Sequence, residues 1–219
     1  MNKKTNQMQH KMNQHILDRI KALGGNIDQV KADSWMDDLL SIRFDTVLYE
    51  RPQDAPWADV DDQEPIRGLG DYIDAYKQQF EQNPADFYAQ LIQDYYQLTE
   101  ERRGQSFWQA QLFTPFQVGT VDFEEWNADF SADDIDLEKI RQLTHDHEPD
   151  FIRLVFRYGF PDQYYICLSD PNPENPTLWG TDHEVFFTEV SCEGTLLDFL
   201  ERCMTPTELI AFIEAKINL

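Results

Sequence analysis

The sequence is poor in cysteine and has no long apolar run. It contains three cysteines, Cys167, Cys192 and Cys203, with no Cys-x-x-Cys spacing among them. An odd number of unclustered thiols is typical of a reducing cytosol and unlike a disulfide framework or a zinc site. No stretch approaches the roughly 18 consecutive apolar residues of a membrane span, and the first twenty residues lack the apolar segment of a signal peptide. We therefore expect a cytoplasmic protein with no membrane partner.

Basic residues are scarce: 18 Lys and Arg face 41 Asp and Glu, for a formal net charge of -23. Residues 1–33 hold six basic and three acidic residues, so the remainder of the chain carries a net charge of -26. Two windows contain no base at all. The first base-free window, between Arg103 and Lys139, has eight acidic residues, and the second, between Arg157 and Arg202, has nine.

This charge distribution limits the classes of partner. Because binding phosphate requires Lys and Arg, a surface built from the base-free windows would repel nucleic acid and anionic lipid. The same surface would attract a basic protein and speed its encounter. The alternative is that the acidity only keeps the protein soluble. The charge thus predicts no nucleic-acid partner and favours a basic protein partner.

The amount of apolar sequence favours one compact unit. Hydrophobic residues make up 41% of the 219 residues and aromatic residues 13%, enough to fill a sizeable core. We expect a single domain over residues 1–219. It comprises a flexible tail at 1–9, a mainly helical half at 10–145, and a sheet with C-terminal helices at 150–219.

The first half reads as mainly helical. Apolar spacing and caps predict helices near 10–23, after Ser34, at 69–82, 84–99, 122–129 and 134–143. Alternation predicts a strand at 42–48, and 100–121 reads as a buried, irregular connection. The proline-containing segment 52–68 is expected to be an exposed loop. Its acidic residues resemble a calcium loop only superficially, because Glu64 replaces the glycine that such a loop requires at its turn.

The last third reads as strands followed by helices. Residues 151–158, 163–168 and 183–190 are rich in β-branched and aromatic residues, and a turn at 159–162 predicts a hairpin between the first two. The segment 169–182 reads as a long loop over the sheet edge. Thr205, Pro206 and Glu208 predict the start of a final helix. This order predicts an α+β fold, an antiparallel or mixed sheet packed by helices on one face.

No catalytic motif for nucleotide binding, acyl transfer or zinc proteolysis is present, so no catalytic residue and no metal ligand is assigned. Two clusters are dense in side chains that could bind a metal. Residues 145–148 read as a solvated turn. His183 follows Asp182 and precedes Glu184, and on a strand His183 and Glu184 would point to opposite faces. A small metal-dependent hydrolase using His183 with Asp182 or Glu184 is kept as an alternative function.

Residues 151–203 resemble the SUKH superfamily, which includes the yeast cell-wall-assembly regulator and many bacterial immunity proteins. The resemblance lies in the aromatic strand at 164–169, the loop reaching 179–184, a further strand, and the helix at 194–202. It implies a mixed sheet wrapped by helices, no cofactor, and a role as an immunity protein that neutralises a toxin. Many such toxins are nucleases, whose basic surface would complement an acidic antidote.

The most favoured function is therefore a non-catalytic protein-binding module that neutralises a basic toxin such as a nuclease. A regulatory scaffold without a toxin is a further alternative. The expected binding surface lies in the loops 52–65 and 169–184, with exposed tryptophans as anchors unless these side chains pack in the core. The predicted partner-binding residues are Trp57, Asp59, Asp61, Asp62, Glu64, Asp170, Glu174, Trp179, Asp182 and Glu184.

Overall fold

The structure is a computed structural model that describes residues 11–51, 66, 68–99, 104–132 and 134–217, with side chains to residue 215. Within these residues the helices are α1 Gln14–Ala22, α2 Trp35–Ser41, α3 Leu69–Ala75, α4 Lys77–Gln82, α5 Pro84–Tyr95, α6 Val121–Phe130, α7 Glu138–Thr144, α8 Leu196–Arg202 and α9 Pro206–Ile217. The strands are β1 Gly25–Asn26, β2 Arg43–Phe44, β3 Ser106–Phe113, β4 Phe151–Arg157, β5 Gln163–Cys167, β6 Thr177–Thr181 and β7 Ser191–Thr195.

The main sheet has five antiparallel strands in chain order, β3-β4-β5-β6-β7, and β1 pairs with β2 in a separate two-stranded sheet. The predicted hairpin is confirmed: β4 and β5 pair with Phe151 opposite Cys167 and Ile152 opposite Ile166. Each strand of the main sheet pairs with the next along the chain, and the connection from β3 to β4 carries α6 and α7. The α+β fold class, with an antiparallel sheet packed by helices, is confirmed.

Helices cover both faces of the sheet, so the expectation of helices on one face is wrong. On one face, Ile152 of β4 and Ile166 of β5 belong to a cluster with residues of α1, α2 and α8. On the other face, Tyr165 of β5 and Trp179 of β6 pack with Phe130 of α6 and with α7. Successive residues of a strand point to opposite faces, and both sets here are apolar or aromatic. A sheet of this composition requires a cover on each side.

A third cluster joins the middle of the chain to the sheet. Helices α3, α4, α5 and α9 surround buried aromatic side chains, and Phe107 of β3 and Phe156 of β4 pack against them. The predicted helix at 84–99 carries an apolar stripe of Phe87, Leu91, Tyr95 and Leu98; the first three are buried as predicted, whereas Leu98 lies beyond the end of α5 and is 54% exposed. The rings of Tyr72 and Tyr95 meet edge to face at 5.3 Å between centroids. This cluster anchors the helical half to the end strand β3.

Three strand predictions need correction. The segment that was expected to be irregular forms β3, the longest strand at eight residues. The expected loop at 169–182 contains β6, and the expected strand at 183–190 forms turns instead. In β6, Gly180 lies so close to Pro161 that an added Cβ would be 2.5 Å from its Cγ, so glycine is required inside the sheet. In the turns, Phe187 adopts a φ of 53° and packs back into the core, where burial replaces strand pairing.

Local sequence signals placed several helix ends correctly. Ser34 accepts a hydrogen bond from the Asp37 amide and caps α2. At α9, the Thr205 amide donates to Glu208 at 2.7 Å, and the Glu208 amide donates back to the Thr205 hydroxyl at 3.2 Å, so the predicted capping box is confirmed. In the part of the chain that the structure describes, no helix is both long and apolar enough to cross a membrane.

Candidate functional site

The structure brings the two base-free windows together on one side of the sheet. Helix α6 belongs to the first window, and the segment 182–190, here called the aromatic turn, belongs to the second. The rings of Trp126 and Phe186 lie 4.9 Å apart, as do those of Phe130 and Phe187. The Asp136 amide also donates to the Phe187 carbonyl at 2.8 Å. Parts of the two base-free windows, α6 and the aromatic turn, therefore lie next to each other.

Helix α6 is positioned by its cap and by its aromatic face. Thr120 accepts a hydrogen bond from the Phe123 amide and starts the helix. Trp126 and Phe130 are four residues apart, so both face the sheet side of the helix. The Asp122 carboxylate accepts a hydrogen bond from the Thr114 amide at 2.9 Å, which ties the helix start to the end of β3. The remaining carboxylates of α6 face solvent.

These exposed carboxylates, together with those of the aromatic turn, are here called the acidic face. The acidic face consists of Glu124, Glu125, Asp129, Glu184 and Glu189, all exposed. Among the described residues, Lys and Arg side chains form ion pairs only with two glutamates elsewhere, Glu50 and Glu208. The acidic face therefore keeps its charge, because the protein's own ion pairs form at other places.

A cavity of about 340 Å³ opens within this face. Half-buried Trp126 and Phe186 form its aromatic wall, and Glu125 lies beside them. Arg153 and Tyr165 line it from the sheet, and the Tyr165 hydroxyl donates to Gln163 at 2.6 Å. The complete lining is Gln111, Leu112, Phe113, Asp122, Glu125, Trp126, Arg153, Gln163, Tyr165, His183 and Phe186.

Asp162, Asp182 and His183 form a compact group beside this cavity. His183 Nδ1 lies 2.7 Å from Asp162 Oδ2 and 3.4 Å from Asp182 Oδ1. The Asp162 Oδ1 atom accepts a hydrogen bond from the His183 amide at 3.1 Å, and Asp182 Oδ1 accepts one from the Glu184 amide at 3.0 Å. Both carboxylates are thereby held toward the same edge of the imidazole.

The side chains of this group differ in burial, and the pKa of two of them is shifted. Asp162 and Asp182 are buried, whereas the His183 side chain is 66% exposed. Burial raises the pKa of the Asp162 carboxyl, and this effect outweighs its hydrogen bond to His183. The hydrogen bond that the His183 imidazole makes to the Asp162 carboxylate raises the pKa of His183. The arrangement favours a positive charge between the two carboxylates, either a proton on the imidazole or a metal ion.

The expected arrangement of His183 with Asp182 or Glu184 needs a partial correction. His183 lies in a turn and not on a strand, so the argument from opposite strand faces does not apply. Asp182 joins His183 as one alternative proposed, but Glu184 is not in the group. Asp162 completes the group instead. It lies 21 residues earlier in the hairpin turn, and no local pattern connects it to His183.

The predicted partner-binding residues fall into three sets. Trp57, Asp59, Asp61, Asp62 and Glu64 lie outside the described residues, as does most of the loop predicted at 52–68. Glu174 and Glu184 are exposed, as a binding role requires. The buried set is Asp170, Trp179 and Asp182.

The buried set corrects the expectation of an exposed loop. Trp179 is 4% exposed and packs in the core under α6 and α7, so it is not an exposed anchor. Asp170 accepts hydrogen bonds from the Asn172 and Thr177 amides at 2.8 and 2.9 Å, so its carboxylate organises the loop before β6. Trp126 and Phe186, which line the cavity, are half-buried and so remain partly accessible to solvent. In the sequence, α6 stands out only because it lies in a window without Lys or Arg. The structure adds that α6 lies beside the aromatic turn.

Comparisons with protein-family models, with curated proteins and with solved structures found no match. The likeness of residues 151–203 to the SUKH superfamily therefore stays a prediction. The features that bear on function are the charge, burial and geometry of the acidic face and of the group around His183.

Proposed function

We propose that this protein is a non-catalytic binding module whose acidic face covers a basic protein, as an immunity protein covers a toxin. The observation that supports this most is the contact between α6 of the first base-free window and the aromatic turn of the second. The sequence alone permits those acidic residues to be spread around the molecule. The contact between α6 and the aromatic turn places exposed carboxylates of both windows near a cavity that Arg153 also lines, and a local excess of negative charge is the form that electrostatic recognition uses.

The cavity gives this patch a place for contact at short range. The rings of Trp126 and Phe186 offer a desolvated aromatic wall, and exposed Glu125 lies beside it. A Lys or Arg side chain of a partner entering there would meet an aromatic face and a carboxylate together. Such aromatic anchors with a charged rim dominate the energetics of protein interfaces. A nuclease, whose surface is basic because it binds phosphate, fits this description.

The direct test uses the basic proteins encoded by the genes that flank this one. Each is purified in an inactivated form, and its affinity for the full chain is measured by calorimetry between roughly 50 mM and 200 mM NaCl. We expect one of them to bind and the affinity to fall as salt rises. If none of these basic proteins binds even at low salt, the proposed function is wrong.

A matched pair of variants then locates the interface. The first reverses two charges of the acidic face, Glu125→Lys with Glu184→Lys. The control makes the same charge change on α3 and α4, Asp74→Lys with Glu81→Lys, at two exposed positions. We expect the first variant to weaken binding at least about tenfold and the control far less, because close charge pairs act locally. Equal losses in both variants would show that only net charge matters.

One observation favours a second candidate function, metal-dependent hydrolysis. His183 lines the cavity and lies with two carboxylates, so a bound metal ion would face a space large enough for a small substrate. This candidate predicts ester or phosphoester hydrolysis that requires added Zn²⁺ or Mn²⁺ and is lost in His183→Ala. It also predicts that the variant still binds the basic partner.

A further inference from the structure

One donor atom from each of Asp162, Asp182 and His183 lies within 4.8 Å of the other two, close enough for the three to share a metal ion. At bond lengths near 2.1 Å, neighbouring ligand atoms around an ion lie about 3.0 to 3.4 Å apart for octahedral and tetrahedral angles. The observed separations from His183 Nδ1 are 2.7 Å to Asp162 Oδ2 and 3.4 Å to Asp182 Oδ1. An opening of a few tenths of an ångström would therefore admit an ion in place of the imidazole proton.

The burial of two neighbouring carboxylates also favours a cation beside them. Asp162 is 5% exposed and Asp182 is 7% exposed, yet in the described part of the chain neither pairs with Lys or Arg. Burying two carboxylates side by side is costly unless a positive charge lies between them. Among the described residues, the protonated His183 imidazole is the group that supplies one. Because its imidazole is 66% exposed, the site has an open side toward solvent and the cavity.

From the spacing and the burial together, we infer that Asp162, Asp182 and His183 bind a divalent transition-metal ion, with Zn²⁺ the ion this donor set suits. One imidazole nitrogen with carboxylate oxygens is a set that Zn²⁺ accepts, and the open side leaves room for water. Binding displaces the imidazole proton to solvent, so two carboxylates and one Zn²⁺ leave the group neutral. The inference does not depend on the proposed basic partner.

The test measures Zn²⁺ binding to the full chain after removal of metals with a chelator. Calorimetry and equilibrium dialysis are expected to show one strong site per chain. His183→Ala removes an exposed side chain, so the variant is expected to fold, and its affinity for Zn²⁺ should fall at least about tenfold. The control is His145→Ala with His147→Ala, which removes the two exposed histidines of the other metal-capable cluster and should leave the strong site intact.

A second readout separates the site from loose surface binding. Co²⁺ in place of Zn²⁺ should give a visible absorption band that His183→Ala and Asp182→Asn both abolish. The binding enthalpy should depend on the buffer, because a proton is released to it. The inference is overturned if no strong site is found, if His183→Ala binds Zn²⁺ as tightly as the unchanged chain, or if the control loses the site instead.

Discussion

Arg157 and Glu50 form an ion pair in which each side chain is only 1% exposed. Arg202 donates to the second oxygen of the same carboxylate at 3.1 Å, so one glutamate holds two guanidinium groups. Arg157 also donates from Nε to the Pro161 carbonyl at 2.8 Å, and its guanidinium stacks over the Tyr164 ring. The pair thus fixes the hairpin turn that carries Asp162, which connects the core to the group around His183.

We expect Glu50→Gln to lower the free energy of unfolding by about 3 to 5 kcal/mol, because it leaves the buried guanidinium of Arg157 and the partly exposed guanidinium of Arg202 without a counter-charge. Urea unfolding followed by fluorescence measures the loss. The comparison is Arg51→Gln, which breaks the more exposed Arg51–Glu208 pair and is expected to cost about 1 kcal/mol or less. Similar losses in the two variants would contradict the central position assigned to Glu50.

Phe187→Ala is expected to lower the free energy of unfolding by about 3 to 5 kcal/mol, because the ring is fully buried and a cavity would remain. The ring contacts Phe130 of α6 and Tyr165 of β5, so its loss should also loosen the aromatic turn and weaken binding at the acidic face. Thermal and urea unfolding give the stability. Phe160→Ala, at a ring that is 58% exposed, should stay within about 0.5 kcal/mol of the unchanged chain.

Asp198→Asn should make the stability less dependent on acid pH. The Thr195 amide donates to Asp198 at 2.8 Å, and this hydrogen bond lowers the pKa of the carboxyl in the folded state. Its contribution is therefore fully present above the pKa of the unfolded chain and is lost as pH falls through the lower folded pKa. We expect the Tm difference between the unchanged chain and the variant to shrink from about pH 6 to about pH 3. A difference that stays constant over that range would argue against this role of the cap.

The three cysteines should differ sharply in reactivity. Cys192 is exposed, whereas Cys167 and Cys203 are buried, and burial raises the pKa of both buried thiols. A disulfide reagent such as DTNB should therefore modify one thiol per chain rapidly in the native state and all three in denaturant. Cys192→Ser should remove the rapid reaction. Rapid reaction of two or more thiols would show that the packing around β5 or α8 is looser than described.

Interactions between residues close in sequence predicted several helix ends and the hairpin of β4 and β5. Ser34, Thr205 and Glu208 act on amides within four residues of themselves, so their capping roles can be read without knowing the rest of the chain. The turn at 159–162 likewise joins two adjacent strands. The strand predictions failed where an apolar run could be buried either in a strand or in turns. The pair Phe186 and Phe187 suits a strand, but here the residues lie in turns, with the Phe187 ring buried in the core and the Phe186 ring half-buried against it.

The sequence by itself determined the charge surplus, the absence of bases in two windows and the ends of several helices, because each depends on composition or on near neighbours. Only the tertiary structure decided where those charges meet. The antiparallel order of the sheet brings Asp162 to His183 across 21 residues. The burial of Phe130 against Phe187 brings α6 to the aromatic turn. Both depend on long-range packing of rings and strands, which no spacing along the chain encodes.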